Sequence, residues 1–113
     1  MEFVVLDFEN DKPTTEIALA MLEIEVERMK KFGGKIIKVV HGYGSKGVGG
    51  SIFRAVRDFA IKQKRSGKIR DYLCGDEWDI SNSKTQKLLT SLKNFGGDCD
   101  LNTRNPGITI IVL

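Results

Sequence analysis

The residues best equipped for chemistry lie between His41 and Ser51, in the run His-Gly-Tyr-Gly-Ser-Lys-Gly-Val-Gly-Gly-Ser. His41 is the single histidine of the chain, and five of its twelve glycines fall in this stretch. Glycines let a backbone approach an anion closely. A helix opening just beyond them would present unpaired N–H groups and the positive end of its dipole. Lys46 adds a cation inside the loop, Arg54 and Arg57 follow on the predicted helix, and Tyr43 offers an aromatic face for stacking on a base. Gly42, Tyr43, Gly44, Ser45, Lys46 and Gly47, backed by the two arginines, therefore read as a cradle for phosphate. The competing reading is a long strand–helix connection whose glycines serve only turn geometry. Residues 42–47 also spell Gly-x-Gly-x-x-Gly. That loop follows a second strand instead of a first, however, and no acid stands at the right distance in a third, so a dinucleotide site is not expected.

Asp7 and Glu9 form the second group. If the strands carrying them and His41 are parallel neighbours, all three reach the carboxyl edge of the sheet, where ligands of open α/β sheets bind. There His41 would act as general base or acid, and Asp7 would orient it or hold a metal. Asp7 could equally cap a turn, and His41 could be a satisfied strand-end histidine. Arg104, in a polar loop before the last strand, could reach a phosphate or pin its loop to Asp98 or Asp100.

The elements that must position these groups follow from patterning. Glu2–Phe8 is rich in β-formers and reads as a strand, closed by a turn at Asn10–Pro13. Thr14 caps a helix running to about Phe32, despite a short strand-like alternation over Leu22–Glu27, because good helix formers are uninterrupted from Glu16 to Lys31. Lys35–Val40 is a second strand. Ser51 caps a second helix with an Ile52, Val56, Phe59, Ala60 stripe, bases on its other faces, and Gly67 as its stop. Ile69–Cys74 is a third strand. Ser81 or Ser83 opens a shorter helix whose Leu88, Leu89, Leu92 and Phe95 are buried. Trp78, alone in the acidic turn before it, packs. Ile108–Leu113 is the final strand. The order β-α-β-α-β-(α)-β predicts one α/β domain over residues 1–113, a two-layer sandwich on a four-stranded, mixed and mostly parallel sheet.

Composition narrows the class. Forty-one per cent hydrophobic and 29% charged residues are ordinary for a globular chain. No apolar run is long enough to span a bilayer. Cys74 and Cys99 match no metal-binding spacing, and without an export signal both are expected as thiols in a cytoplasmic protein. The net charge of +3 is unevenly spread: residues 1–27 balance at −7, residues 28–70 at +12 and residues 71–113 at −2. Clustered Lys and Arg gain affinity for polyanions by releasing counterions from phosphates, although solvated helix faces would show the same composition.

Three stretches in order resemble the Smr (small MutS-related) domain family: Leu6-Asp7-Phe8-Glu9, the strand-to-helix segment Lys35–Val56 with its His41-Gly-Tyr-Gly44, and Gly107-Ile-Thr-Ile-Ile-Val-Leu113. The likeness spans the chain and fits a short, free-standing bacterial form. It implies the fold of the C-terminal domain of translation initiation factor three, and DNA or RNA as partner. It also implies, for some members, nicking of phosphodiester bonds, with Mg²⁺ or Mn²⁺ as the expected cofactor if this chain cleaves, and for others docking on ribosomes or partner proteins without cleavage. Glu9 stands where the family commonly has its first histidine, and Asn10 where it often has glycine. A glutamate cannot donate a proton at neutral pH unless its pKa is raised, which weakens the cleavage reading more than the binding one.

Overall fold

The structure, a computed structural model, describes residues 2–42, 50–92 and 95–113. The first strand, β1 (Phe3–Asp7), turns directly into a single helical turn, α1 (Phe8–Asp11), where the sequence suggested an open turn. Asp7 causes this: its carboxylate accepts from the Asn10 N–H at 2.9 Å and caps the turn. Lys12 then leaves it in the left-handed region. Thr14 caps α2 (Thr15–Lys31) by accepting from Ile17 N–H, as its residue type favours. Next come β2 (Ile36–Val40), α3 (Gly50–Arg65), β3 (Asp71–Cys74), a 3-10 turn (Gly75–Glu77), α4 (Ser83–Ser91) and β4 (Ile108–Val112). Helix α3 already includes Ser51, so that serine is not its cap. Helix α4 is capped by Asn82, whose side chain accepts from the N–H groups of Lys84 and Thr85.

The sheet order is β1-β2-β4-β3. β1 and β2 are parallel neighbours, with Asp7 opposite Val40. β4 slots in antiparallel between β2 and β3. Three strands therefore run one way, as the alternation of strands and helices implied. Two of the three ladders are nevertheless antiparallel, because the last strand returns through the centre of the sheet.

Helices α2 and α3 cover one face, burying Leu22, Val26, Met29, Val56 and Ala60 against Ile37, Val39 and Ile111. These are the two layers expected from the sequence. The other face, carrying Ile36, Ile108 and Ile110, is closed by Trp78, Leu88, Leu92 and Phe95 from α4 and its flanks. Trp78 is fully buried there, as its packing role required. Gly75 permits this closure: a Cβ at that position would overlap the carbonyl of Asn105. The loop over residues 98–107 can therefore lie directly on the chain leaving β3.

Candidate functional site

Three strand ends converge at one edge of the sheet. His41 and Gly42 leave β2, and both donate their backbone N–H to the carbonyl of Gly107, at 2.9 and 3.0 Å. Gly107 opens β4, and its Cα lies so close to Gly42 that a Cβ there would come within 3.2 Å of the Gly42 backbone. Glu9, on the turn after β1, reaches over the same glycine: a Cβ on Gly42 would sit 2.7 Å from Glu9 Oε2. Gly42 also has φ +77°, a conformation that costs any L side chain strain, so the backbone itself favours glycine there, while the Glu9 carboxylate could swing aside. The three stretches read from the sequence thus meet at Gly42.

His41 is buried at 2% exposure, and both ring nitrogens are engaged. Nδ1 donates to the Gly42 carbonyl at 2.8 Å, which can only accept. Nε2 lies 2.8 Å from Thr109 Oγ1 and so accepts the hydroxyl proton. The same hydroxyl accepts from Arg57 Nε at 2.7 Å. Donation therefore runs in one direction, from guanidinium to hydroxyl to imidazole to carbonyl, and fixes the tautomer. Phe53 packs edge-on to the imidazole at 5.0 Å and lies under the Arg57 guanidinium at 4.7 Å. Burial, aided by the nearby Arg57 charge and opposed by the hydrogen bond to Gly42, lowers the His41 pKa to about 4. The ring is neutral at pH 7.

The arginines divide into two kinds. Arg57 is half-buried and spends Nε on Thr109 and Nη2 on the carbonyls of Pro106 and Ile108. It staples α3 to the start of β4. Arg54 and Arg65 lie on the exposed face of α3, and neither side chain makes a hydrogen bond or ion pair among the described residues. Lys62 pairs with Asp58 at 3.0 Å in full solvent, and Lys64 with Asp71 at 2.9 Å. Arg104 is exposed and lies 3.7 Å from Asp79, not from Asp98 or Asp100 as its loop position suggested. Tyr43, Gly44, Ser45, Lys46 and Gly47 lie outside the described residues, so the proposed cradle is represented here by its two ends, Gly42 and α3.

Asp98 and Asp100 are instead taken by Lys38, a residue the sequence reading passed over. Lys38 sits mid-strand in β2 at 3% exposure and donates to Asp98 at 2.7 Å and Asp100 at 2.6 Å. Trp78 Nε1 donates to the second oxygen of Asp98, and Asn105 to Asp100. Asn105 also accepts from Gly107 N–H at 2.8 Å, which ties this cluster to the edge where Gly42 lies. The available signal was a lysine inside Ile-Ile-Lys-Val-Val, since a charge at a buried strand position needs a counter-charge. Thr109 and Phe53, the other missed residues, carried no comparable signal.

Among the described residues no group of three His, Cys, Asp or Glu side chains could hold an ion. Asp7 is committed to capping α1, and Glu9 alone does not make a donor set.

Fold and edge together define an α/β domain whose β1, β2 and β4 ends meet at one glycine, next to a helix with a basic outer face. Among solved structures the chain is similar to the Smr domain of Thermus thermophilus MutS2, with a TM-score of 0.56 and 17% identity, covering 100% of this chain and 98% of that one. The chain thus has the Smr-domain fold, as the three sequence stretches implied. No protein-family model and no curated protein matches the sequence. Among the described residues no helix is long and apolar enough to cross a membrane.

Proposed function

We propose that the protein binds the phosphate backbone of DNA or RNA through the outer face of α3 and the adjoining edge at Gly42. The observation that supports this most is the charge placement: thirteen Lys or Arg against one acid over residues 28–70, with Arg54 and Arg65 exposed and without an ion pair among the described residues. Free cations on one helix face can each displace a condensed counterion, whereas paired ones offer less. Fluorescence anisotropy with labelled RNA and duplex DNA over a salt series tests it. Arg54→Glu/Arg65→Glu should weaken binding at least about tenfold for all sequences and flatten the salt slope by about two phosphate contacts. Unchanged affinity would reduce the charge to a solvated face. Arg57 is a poor probe, since its loss would unpin β4.

Within that reading, the state of His41 favours docking on RNA, a ribosome or a partner over cleavage. A general base must reach the proton it abstracts, and here both imidazole nitrogens are buried and bonded. Incubating the protein with supercoiled DNA and structured RNA, with and without Mg²⁺ or Mn²⁺, separates the two. Nicking abolished by His41→Ala would restore the catalytic assignment of His41, Asp7 and Glu9. Tight binding with no cleavage supports docking.

A further inference from the structure

Seven large apolar side chains are exposed among the described residues, and four of them belong to one helix and its C-cap. Ile17 (54%), Met21 (38%), Ile24 (66%) and Phe32 (70%) belong to α2 and its C-cap, whereas the side chain of Val5 (45%) on β1 points to the opposite face of the sheet, since Val4 and Leu6 pack under the helices. At 100° per residue Ile17, Met21, Arg28 and Phe32 form one stripe, with Ile24 at the helix crest. Residues on another side of the helix meet α3: Glu23, Val26 and Glu27 share a cleft with Phe59 and Gln63, Ile24 at the crest borders it, and Lys30 donates to the Lys68 carbonyl. The buried side, Ala18, Leu22 and Met29, faces the sheet. The stripe therefore points away from α3. Because α3 packs over β3 and β4, that direction is toward the open edge of β1.

β1 is an edge strand with little to protect it. Its sequence is Phe-Val-Val-Leu-Asp, with no proline, glycine or lysine to discourage pairing. Ile36 N–H bonds to the Glu2 carbonyl, so the even residues face β2. The backbone N–H and C=O of Phe3 and Val5 then point outward. Among the described residues no other strand pairs with this edge.

From this juxtaposition of an open strand edge and an apolar helix stripe, we propose that the chain forms a two-fold dimer: β1 pairs antiparallel with its copy, and α2 packs antiparallel on its copy. A two-fold axis normal to the sheet satisfies both contacts at once and places both α2 helices on the same face. Paired strands lie about 4.8 Å apart. A crossover helix sits about half a strand spacing inboard of β1, so the two α2 axes fall roughly 10 Å apart, the separation of packed helices. Antiparallel pairing opposes the two helix dipoles, and Arg28, within the stripe, is held by Glu25 of its own helix. The helix is about 25 Å long, and with the strand beneath it the contact buries on the order of 1,000 Å², enough for specific association. A heterologous apolar partner would need no such self-complementarity.

Sedimentation equilibrium on the full chain, over a micromolar dilution series, tests the proposal independently of nucleic-acid binding. The expected result is a mass doubling that reverses on dilution. Ile17→Glu/Met21→Lys keeps helix formers and a favourable i,i+4 pair, and should raise the dissociation constant at least about tenfold. Val5→Pro removes one outward donor at a position where an edge strand tolerates proline, and should do the same. Circular dichroism confirms that both variants fold. A monomer throughout the series overturns the proposal, as does a dimer indifferent to both variants. A dimer dispersed by the helix variant but not by Val5→Pro overturns the shared sheet.

Discussion

Two buried polar clusters lie on opposite faces of the same sheet, and they solve the problem of burial in opposite ways. Around His41 the polar groups form a one-way chain with a single fixed charge, Arg57, and the titratable member is driven neutral. Around Lys38 the burial penalty, which would lower the pKa, is outweighed by hydrogen bonds to Asp100 and Asp98, and the pKa is raised, so the ammonium keeps its charge. For Asp100 burial raises and the bonds to Lys38 and Asn105 lower, with the lowering dominant. Counter-charge decides the outcome: a desolvated base beside another cation gives up its proton, whereas one held by two carboxylates retains it. The first arrangement orders a loop-flanked edge, and the second clamps the 98–107 segment that delivers Gly107 to that edge.

The largest expected effect comes from breaking the charged cluster. Lys38→Ala leaves two acids on a buried face without their cation and should cost about 3–5 kcal/mol in urea unfolding. Adding Asp98→Asn and Asp100→Asn to Lys38→Met should recover a substantial part, because neutral partners need no counter-charge. If the single variant costs under about 1 kcal/mol, the cluster is not dry.

Acid separates the two clusters by pH window. The folded pKa of His41, about 4, lies below its ordinary 6.5, so its contribution is present above pH 6.5 and is lost as pH falls toward 4. Roughly 3 kcal/mol of stability should disappear across that interval, and His41→Gln should flatten it. Asp100, lowered from 3.8, contributes above that value and loses its contribution only in more acidic solution. The Lys38 pKa is raised from 10.5, so its share is lost only on the alkaline side, above that value. A stability curve flat from pH 7 to 4 would contradict the neutral, buried imidazole.

The smallest expected effect sharpens the cause of that neutrality. Arg57→Gln removes the adjacent cation but keeps an amide that can donate to Thr109, so if the ring stays buried the His41 pKa measured by NMR should rise only part of the way toward 6.5. A full return would show that removing Arg57 had opened the ring to water.

Sequence patterning determined the order of the strands and the longer helices, the Thr14 cap, the core stripes of α3 and α4 and the parallel pairing of β1 with β2, because these depend on periodicity and on residues close in the chain. It also brought Asp7, Glu9 and His41 to one edge, since strand ends in an alternating α/β chain share an edge, whereas Gly107 entered only through the family resemblance. Patterning could not say what His41 would do there. Its neutrality depends on Thr109 and Arg57, one on β4 and one on α3, and a lone histidine before glycine looks the same whether it is bonded on both sides or open to solvent. Nor could it find the partners of Lys38, which lie some sixty residues away on a loop placed by Trp78 and Gly75. Contacts between residues distant in the chain carry no local periodicity, so the return of β4 through the centre of the sheet, and the two polar clusters it divides, belonged to the tertiary structure alone.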